Sequence, residues 1–319
     1  MKGHGPGDLT TSPRFAGVPT FLRLPHVATP KALDVAVVGI PFDAATHWRS
    51  GTRFGPEAIR EASLALRPLY NPVQRVAPFD VLSVAEYGDL PVDPGFVDRT
   101  FADVAEALEK LHGRATAPIC LGGDQSILLA ELRAAARRHG TLALVLFDAH
   151  TGTWDEVAGE RYVHGTVVRR AVEEDLVDPR RSILLGARGG TWSANDLDEA
   201  RELGFTVVPW EDLAQIGTGM AAAAPEVAGG KAFLSFDLDF LDPAFAPGVS
   251  APEVGGPSSM QALALLRGCR GLDIVGADVA SVVPEHDCGH ITASLAATIA
   301  LEIISLIACA RLDEAAGTR

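Results

Sequence analysis

Two short stretches combine acidic and imidazole side chains directly after apolar, strand-like runs. Asp148 and His150 follow residues 142–147, and Asp237 and Asp239 follow residues 232–236. Because ligands collect at the carboxyl ends of parallel strands in α/β proteins, we expect the two stretches to lie together. The outer residues of D-x-H and D-x-D lie two apart, so on an extended strand they share one face. Three carboxylates and one imidazole predict a site for a divalent metal, manganese before zinc.

The composition narrows the class of partner. The chain has 319 residues and a formal net charge of −14, with 41 acidic against 27 basic side chains. This balance disfavours nucleic acid or an anionic membrane as a main partner. The four cysteines are scattered without a C-x-x-C pair, which is typical of free thiols in a reducing compartment. Residues 1–15 contain no apolar signal core, so we expect a cytoplasmic protein.

Apolar, β-branched runs alternate with amphipathic stretches along the chain. Strands are predicted at residues 34–40, 80–85, 118–121, 142–147, 182–185, 206–208, 232–236 and 273–277. Helices are predicted at residues 56–67, 101–112, 127–139, 166–174, 194–203, 260–267 and 291–308. The last of these is interrupted by Glu302 and is expected to be a buried helix rather than a membrane span. The alternation predicts an α/β fold, a three-layer α/β/α domain with a central, mostly parallel sheet.

The chain shows no low-complexity linker and no internal repeat, which favours one domain. Residues 1–31 are expected to form an N-terminal arm that contains Pro13, Pro19, Pro25 and Pro30. Residues 32–319 are expected to form the α/β domain. Such an arm either packs across a neighbouring subunit or is a plain frayed end.

A series of motifs in a fixed order carries a family resemblance. They read GIPFD from Gly39, RFGP from Arg53, YGD from Tyr87, LGGD from Leu121, FDAHT from Phe147, HGT from His164, SFDLD from Ser235 and DPAFAPG from Asp242. In this order they resemble the ureohydrolase superfamily of arginases and agmatinases. The segment from Pro13 to Pro25 is similar to the agmatinase and proclavaminate amidinohydrolase branch.

The resemblance implies an arginase-like fold and a small guanidino substrate that is hydrolysed to urea and an amine. Members of the superfamily hold two manganese ions that activate a water molecule, and they assemble as trimers or hexamers. Four positions match the ligands of the second metal, namely Asp148, His150, Asp237 and Asp239. His164 matches the active-site histidine, which is suited to proton transfer near neutral pH.

Three positions depart from the pattern of the superfamily. Gln125 stands where a histidine binds the first metal, and Gly152 stands where an aspartate binds it. Ser281 replaces the glutamate that binds the guanidinium group, and Glu285, four residues on, substitutes for it only if the loop is remodelled. These differences predict one manganese ion per chain rather than two.

Three functions fit these residues. The first is an agmatinase-like amidinohydrolase with one degraded metal site. The second is an inactive paralogue that acts as a subunit or regulator. The third is a single-metal amide or amidine hydrolase, because histone-deacetylase-like enzymes share this fold and use one metal held by Asp, His and Asp.

The third function requires a second histidine as acid or base. The sequence contains no adjacent pair, so His164 would have to act with His286 or His290. His47, with Trp48 and Arg49 beside it, is predicted to lie in a surface loop or to line the entrance to the substrate site.

Overall fold

A single parallel sheet forms the centre of the structure, a computed structural model that describes residues 3–7, 13–29, 32–216 and 230–317. In these residues the strand order is β2-β1-β3-β8-β7-β4-β5-β6, and every neighbouring pair is parallel. The strands are β1 (Val35–Ile40), β2 (Val84–Asp89), β3 (Ala117–Gly122), β4 (Ala143–Phe147), β5 (Ile183–Leu185), β6 (Thr206–Val208), β7 (Lys231–Asp237) and β8 (Asp273–Ala280).

Helices cover both faces of this sheet. They are α1 (Gly55–Ser63), α2 (Pro78–Val81), α3 (Val97–His112), α4 (Leu128–His139), α5 (Val167–Glu173), α6 (Asp196–Glu202), α7 (Trp210–Ile216), α8 (Ser259–Arg267) and α9 (Ile291–Ala315). Successive side chains of β1 point to opposite faces, so Val37 joins the apolar core beneath α1, α8 and α9, and Val38 joins the core beneath α3 and α4. The predicted three-layer α/β/α architecture is confirmed.

One predicted strand is wrong in its position. Residues 80–85 were expected to be extended, but Pro78–Val81 forms a short helix and β2 runs from Val84 to Asp89. Proline at the first turn favours helix, because its fixed φ suits the position and its missing N–H is not needed there. The apolar residues of this segment therefore pack as a helical turn against the core.

The last helix, α9, has the length and apolar composition of a membrane span. Most of its side chains are nevertheless buried inside the protein, against α1, α2 and α8. Glu302 in its middle is buried and pairs with Arg267 of α8. The predicted buried helix is confirmed, and it continues to Ala315, beyond the expected end.

The described parts of the N-terminal arm lie along β2, the strand at one edge of the sheet. The backbone N–H of Val84 donates to the carbonyl of His4, and the N–H of Glu86 donates to the carbonyl of Pro25. Phe21 and Leu22 are buried in the core next to α1. The arm thereby covers a strand edge that would otherwise expose unpaired backbone groups. The boundary between residues 31 and 32 stays a prediction.

Candidate active site

Four neighbouring strands of the sheet, β3, β8, β7 and β4, end in polar residues at the same edge. Gln125 follows β3, Ser281 follows β8, and Asp237 is the last residue of β7. Asp148 and His150 follow β4. Parallel pairing of the four strands therefore brings together the side chains that the sequence singled out.

The D-x-H stretch turns sharply rather than continuing the strand. Oδ1 of Asp148 accepts a hydrogen bond from the backbone N–H of His150 at 2.8 Å, and Nδ1 of the His150 ring lies 3.2 Å from the same oxygen. A carboxylate that binds the backbone two residues on is a local alternative to extended structure. The expectation that both side chains share a strand face is therefore wrong, although both line one cavity.

The D-x-D stretch uses the same local bond. Oδ1 of Asp237 accepts from the N–H of Asp239 at 2.8 Å and so starts the short 3₁₀ turn Leu238–Phe240. The carboxylate of Asp239 accepts from the N–H of Ala251, at 3.1 Å to Oδ2. Both carboxylates are buried, with 2% and 1% of each residue exposed.

Buried carboxyl groups are crowded together at the floor of this site. Burial, together with the charges of neighbouring carboxylates, raises the pKa of Asp237 and the pKa of Asp239. Burial lowers the pKa of His150, but its hydrogen bond to Asp148 and the charges of Asp148, Asp239 and Glu253 outweigh burial and raise the pKa to about 9. Three buried carboxylates so close together favour a bound cation, because each is stabilised in its charged form by an opposite charge.

These residues form the floor of a cavity of about 500 Å³. A cavity of this size is sufficient for a small organic ligand. It is lined by His47, Trp48, Arg49, Asp148, His150, Trp154, His164, Gly165, Gly190, Trp192, Asp237, Asp239, Ala251, Pro252 and Glu253.

Glu253 is a fourth acid in this cavity, and sequence reasoning missed it. Its side chain is 30% exposed on the wall, and Oε1 lies 3.9 Å from Nε2 of His150. In the described residues no donor forms a hydrogen bond to this carboxylate. A side chain at Gly189 would collide with it, so glycine at that position leaves room for the acid. Only its place in the fold, and no spacing in the sequence, identifies it.

His47 and His164 form a pair at the same cavity. Nδ1 of His47 lies 2.7 Å from Nε2 of His164, and the ring centroids are 4.4 Å apart. Burial, reinforced by nearby imidazoles, lowers the pKa of both rings, which keeps the pair neutral near pH 7. The sequence predicted a functional role for His164 and gave His286 or His290 as its partner. The partner in the structure is His47.

Three of the four tryptophans of the chain line this cavity. Trp48 and Trp192 are 72% and 75% exposed at the rim, and the Trp154 ring meets Trp192 edge to face at 6.3 Å. Asp196 holds this aromatic pair, because Oδ2 accepts from the indole N–H of Trp154 and from the backbone N–H of Trp192. The indole faces offer a surface to flat or cationic groups.

The three positions that differ from the superfamily pattern are in contact with neighbouring residues. The amide Nε2 of Gln125 donates to the hydroxyl of Ser235 at 2.7 Å. The hydroxyl of Ser281 donates to Oδ2 of Asp237 at 2.6 Å. Gly152 has a left-handed φ of 64°, and a Cβ there would lie 2.7 Å from Cγ2 of Val168.

Glu285 lies outside the cavity. It is exposed in the 3₁₀ turn Pro284–His286 and does not line the cavity. His286 and His290 are exposed as well. The catalytic role expected for Glu285 is therefore not supported, because the turn starts at Pro284 and carries the side chain to the surface.

The donor types at the floor suit one divalent ion, but the side chains are bonded to one another. Within residues 3–7, 13–29, 32–216 and 230–317, no group of three or more His, Cys, Asp or Glu side chains is already arranged to hold a metal ion. Asp148 faces His150, and Asp237 accepts from Ser281. A bound ion would have to replace these contacts.

Arg188 holds two parts of the site in place from beneath. This buried guanidinium donates to five backbone carbonyls, those of Gly186, Asp239, Phe240, Leu241 and Glu253. It therefore joins the loop after β5 to the turn after β7 and to the segment that carries Glu253. Its role is structural, since both terminal nitrogens donate to backbone carbonyls.

Behind the floor lies a second pair of buried acids. Oδ1 of Asp278 accepts from the hydroxyl of Ser235, which receives the Gln125 bond. The other oxygen of Asp278 and both oxygens of Glu131 have no donor in the described structure. Burial, with the neighbouring Asp278, raises the pKa of Glu131 well above its usual range. Protonation of Glu131 would allow it to donate a hydrogen bond to Asp278.

This pair predicts a pH-dependent stability. Because the folded-state pKa of Glu131 is raised, its stabilising contribution is complete below the unfolded-state pKa and is lost as the pH rises through the folded-state value. In Glu131→Gln an amide takes the place of the protonated acid and cannot ionise. Between pH 6 and pH 9, we expect the melting temperature of the wild type to fall further than that of this variant, as measured by calorimetry. Parallel curves would show that the pair does not share a proton.

The fold and the cavity together define an α/β/α protein with an acidic cavity at the carboxyl ends of its parallel strands. The sequence profile of the arginase family matches residues 33–305. The chain therefore belongs to the arginase family, and the resemblance expected from the motifs is confirmed.

Individual relatives are similar over nearly their whole length. A guanidinopropionase of Pseudomonas aeruginosa is 42% identical over 306 residues, which cover 95% of this chain and 96% of the relative. An agmatinase of Neisseria meningitidis is 42% identical over 294 residues, with 90% and 92% covered. The solved proclavaminate amidinohydrolase of Streptomyces clavuligerus superposes with a TM-score of 0.89 at 38% identity and covers 94% of this chain and 100% of its own.

Proposed function

We propose that this cavity hydrolyses a C–N bond of a small guanidino compound and releases urea and an amine. The observation that carries the proposal is the arrangement of acids, three on the floor and Glu253 on the wall of one cavity. Clustered, buried carboxylates such as those on the floor suit a metal ion. A single, partly exposed carboxylate such as Glu253 suits a guanidinium group. The names of the relatives, an agmatinase and a guanidinopropionase, support the same chemistry.

Asp148, His150, Asp237 and Asp239 would hold one Mn²⁺ ion, the metal expected for this family. When bound, the ion lowers the pKa of a water molecule and polarises the group under attack. The crowding of buried carboxyl groups at the floor, which raises the pKa of Asp237 and of Asp239, supports this assignment because a bound cation would relieve it. One ion is proposed rather than two, since Gln125 bonds to Ser235 and Gly152 offers no side chain.

Glu253 takes the place of the missing guanidinium partner. The hydroxyl of Ser281 is committed to Asp237, and Glu285 is exposed outside the cavity. Of the acids that line the cavity, only Glu253 is left once an ion engages the floor. Its two oxygens can accept two parallel N–H bonds, the arrangement that guanidinium groups prefer.

Replacing this acid should weaken substrate use without removing metal. A hydrogen bond to a charged group contributes about 1.5–3 kcal/mol, so we expect Glu253→Gln to lower kcat/KM for a guanidino substrate roughly 10- to 100-fold. Urea release is measured with Mn²⁺ over guanidinopropionate, guanidinobutyrate, agmatine and arginine. Glu285→Gln, an exposed acid changed in the same way, serves as the control and should retain wild-type rates.

Two outcomes would count against parts of this proposal. A wild-type protein that binds Mn²⁺ yet releases no urea from any guanidino compound would overturn the reaction and favour the inactive paralogue. Equal rates for wild type and Glu253→Gln would leave the reaction standing and remove Glu253 from it.

The His47–His164 pair favours a second candidate, a single-metal amide or amidine hydrolase with a different substrate. Two imidazoles beside an Asp, His and Asp set were expected for that function, and such a pair lines this cavity. Amine release from small acylated amines, measured in parallel with urea release, separates the two candidates. Hydrolysis of the acylated amines alone would establish the second.

A cytoplasmic homo-oligomer, a trimer or hexamer, is proposed for the assembly. Family membership supports this proposal. The exposed Trp48 and Trp192 are also compatible with a subunit contact near the cavity. Light scattering of the purified full chain gives the mass that tests it.

A further inference from the structure

We propose that His47 and His164 form a proton relay, in which a proton taken up by one ring is passed through the hydrogen bond between them and leaves from the other. The inference rests on the proposed function, because it supplies the proton transfers that hydrolysis requires. It adds His47, from the loop after β1, as a residue that acts through His164.

The short distance between the rings fixes the proton count. A separation of 2.7 Å between Nδ1 of His47 and Nε2 of His164 requires one hydrogen between the two nitrogens. Each neutral imidazole carries one N–H, so one ring donates and the other accepts. The outer nitrogens, Nδ1 of His164 and Nε2 of His47, have no hydrogen-bond partner in the described residues. One can accept a proton while the other releases one.

Backbone bonds hold the two rings in place. The backbone N–H of His164 donates to the carbonyl of Ala45, two residues before His47, at 3.2 Å. Ala45 is buried, and its own N–H donates to Oδ2 of Asp124. The pairing therefore joins two anchored segments and is not a chance contact of surface side chains.

The pair also leads from the interior to the solvent. His164 is half-buried beside the floor acids, whereas His47 is exposed at the rim next to Trp48. A proton that enters at the inner ring can therefore leave at the outer one. The same path in reverse returns a proton to the cavity.

The relay balances the atoms of the reaction. The water oxygen forms a bond to the guanidinium carbon, and its proton passes to Nδ1 of His164. The hydrogen on Nε2 of His164 moves to Nδ1 of His47, and the hydrogen on Nε2 of His47 leaves to solvent. The reverse sequence delivers a proton to the amine nitrogen as the C–N bond breaks. The sum is guanidinium plus water giving urea plus ammonium.

Substitution of His47 distinguishes a proton relay from a purely structural hydrogen bond to His164. His47→Ala should lower kcat roughly 10- to 100-fold, within the range of acid–base catalysis, with KM changed less than about threefold. Asn places an amide near the position of Nδ1, so His47→Asn can keep the bond to His164 but cannot pass a proton. We expect Asn to be as slow as Ala, and free imidazole to restore part of the rate of His47→Ala. His286→Ala, an exposed histidine outside the cavity, is the control.

A measurement that needs no substrate tests the pair independently. Long-range ¹H–¹⁵N spectra of the full chain, with Mg²⁺ in place of the paramagnetic Mn²⁺, should show one hydrogen coupled to nitrogens of both rings, and His47→Ala should abolish it. Absence of the shared hydrogen in the wild type overturns the relay, whatever the activity. Wild-type rates in His47→Asn also overturn it, because the bond alone would then be sufficient. A shared hydrogen in a protein that hydrolyses nothing would contradict the proposed function only.

Discussion

Asp237→Asn should abolish stabilisation by Mn²⁺ and lower urea release at least 100-fold. Asp237 is buried at the centre of the floor, between strands β8 and β4, and supplies a carboxylate to the proposed ion. An ion that binds only the folded state adds about 2.7 kcal/mol at 100 times its Kd, which is several degrees of melting temperature. The variant should lose this gain, because a neutral amide is a poor ligand for a hard cation.

The same substitution should have the opposite effect without metal. Burial and the charges of Asp239 and Asp148 oppose the ionisation of Asp237, a penalty that the neutral amide of asparagine does not carry. In the presence of a chelator, Asp237→Asn should melt at or above the wild-type temperature. The exposed Asp103→Asn of α3 is the control and should follow the wild type in both conditions. If the melting temperature of the wild type were the same with and without Mn²⁺, this result would contradict any metal role for these residues.

Local patterns predict the sheet well, because each central strand carries its own signal. The run 142–147 is continuously apolar and forms β4 within one residue, as expected for a strand buried on both faces. The strand predicted at residues 80–85 was wrong because two short elements, α2 and β2, share one apolar segment. Neither periodicity nor length separates such elements in a sequence.

The cavity floor was predictable for a similar reason, whereas for the wall the loop around His47 was predicted only as one of two alternatives, and neither Glu253 nor the pairing of His47 with His164 was predicted. Asp148 and Asp237 each end an apolar run, so the strands themselves bring the two acids together. Glu253 and His47 reach the cavity on loops that connect distant parts of the chain. His47 lies 117 residues from His164, and only the fold makes them neighbours.

Restoring the ligands of the superfamily should raise bound manganese from one ion per chain to two. Gln125→His and Gly152→Asp return an imidazole and a carboxylate to the first metal position. The structure adds a condition, because a Cβ at residue 152 would lie 2.7 Å from Cγ2 of Val168. Val168→Ala removes that methyl group and should rescue folding of the double variant. The left-handed φ of 64° is tolerated better by aspartate than by most residues.

Adding Ser281→Glu should then increase urea release from a simple guanidino substrate. Ser281 already has a φ of 70°, so the larger side chain introduces no new backbone strain of this kind. Its hydroxyl bond to Asp237 is lost, but the second ion would compensate that acid. Metal content after dialysis and urea release are measured together, with Val168→Ala alone as the one-ion control. Two ions in the wild type would disprove the one-ion proposal. A restored variant that holds two ions and hydrolyses no guanidino compound would show that the tryptophan-lined cavity selects a different substrate.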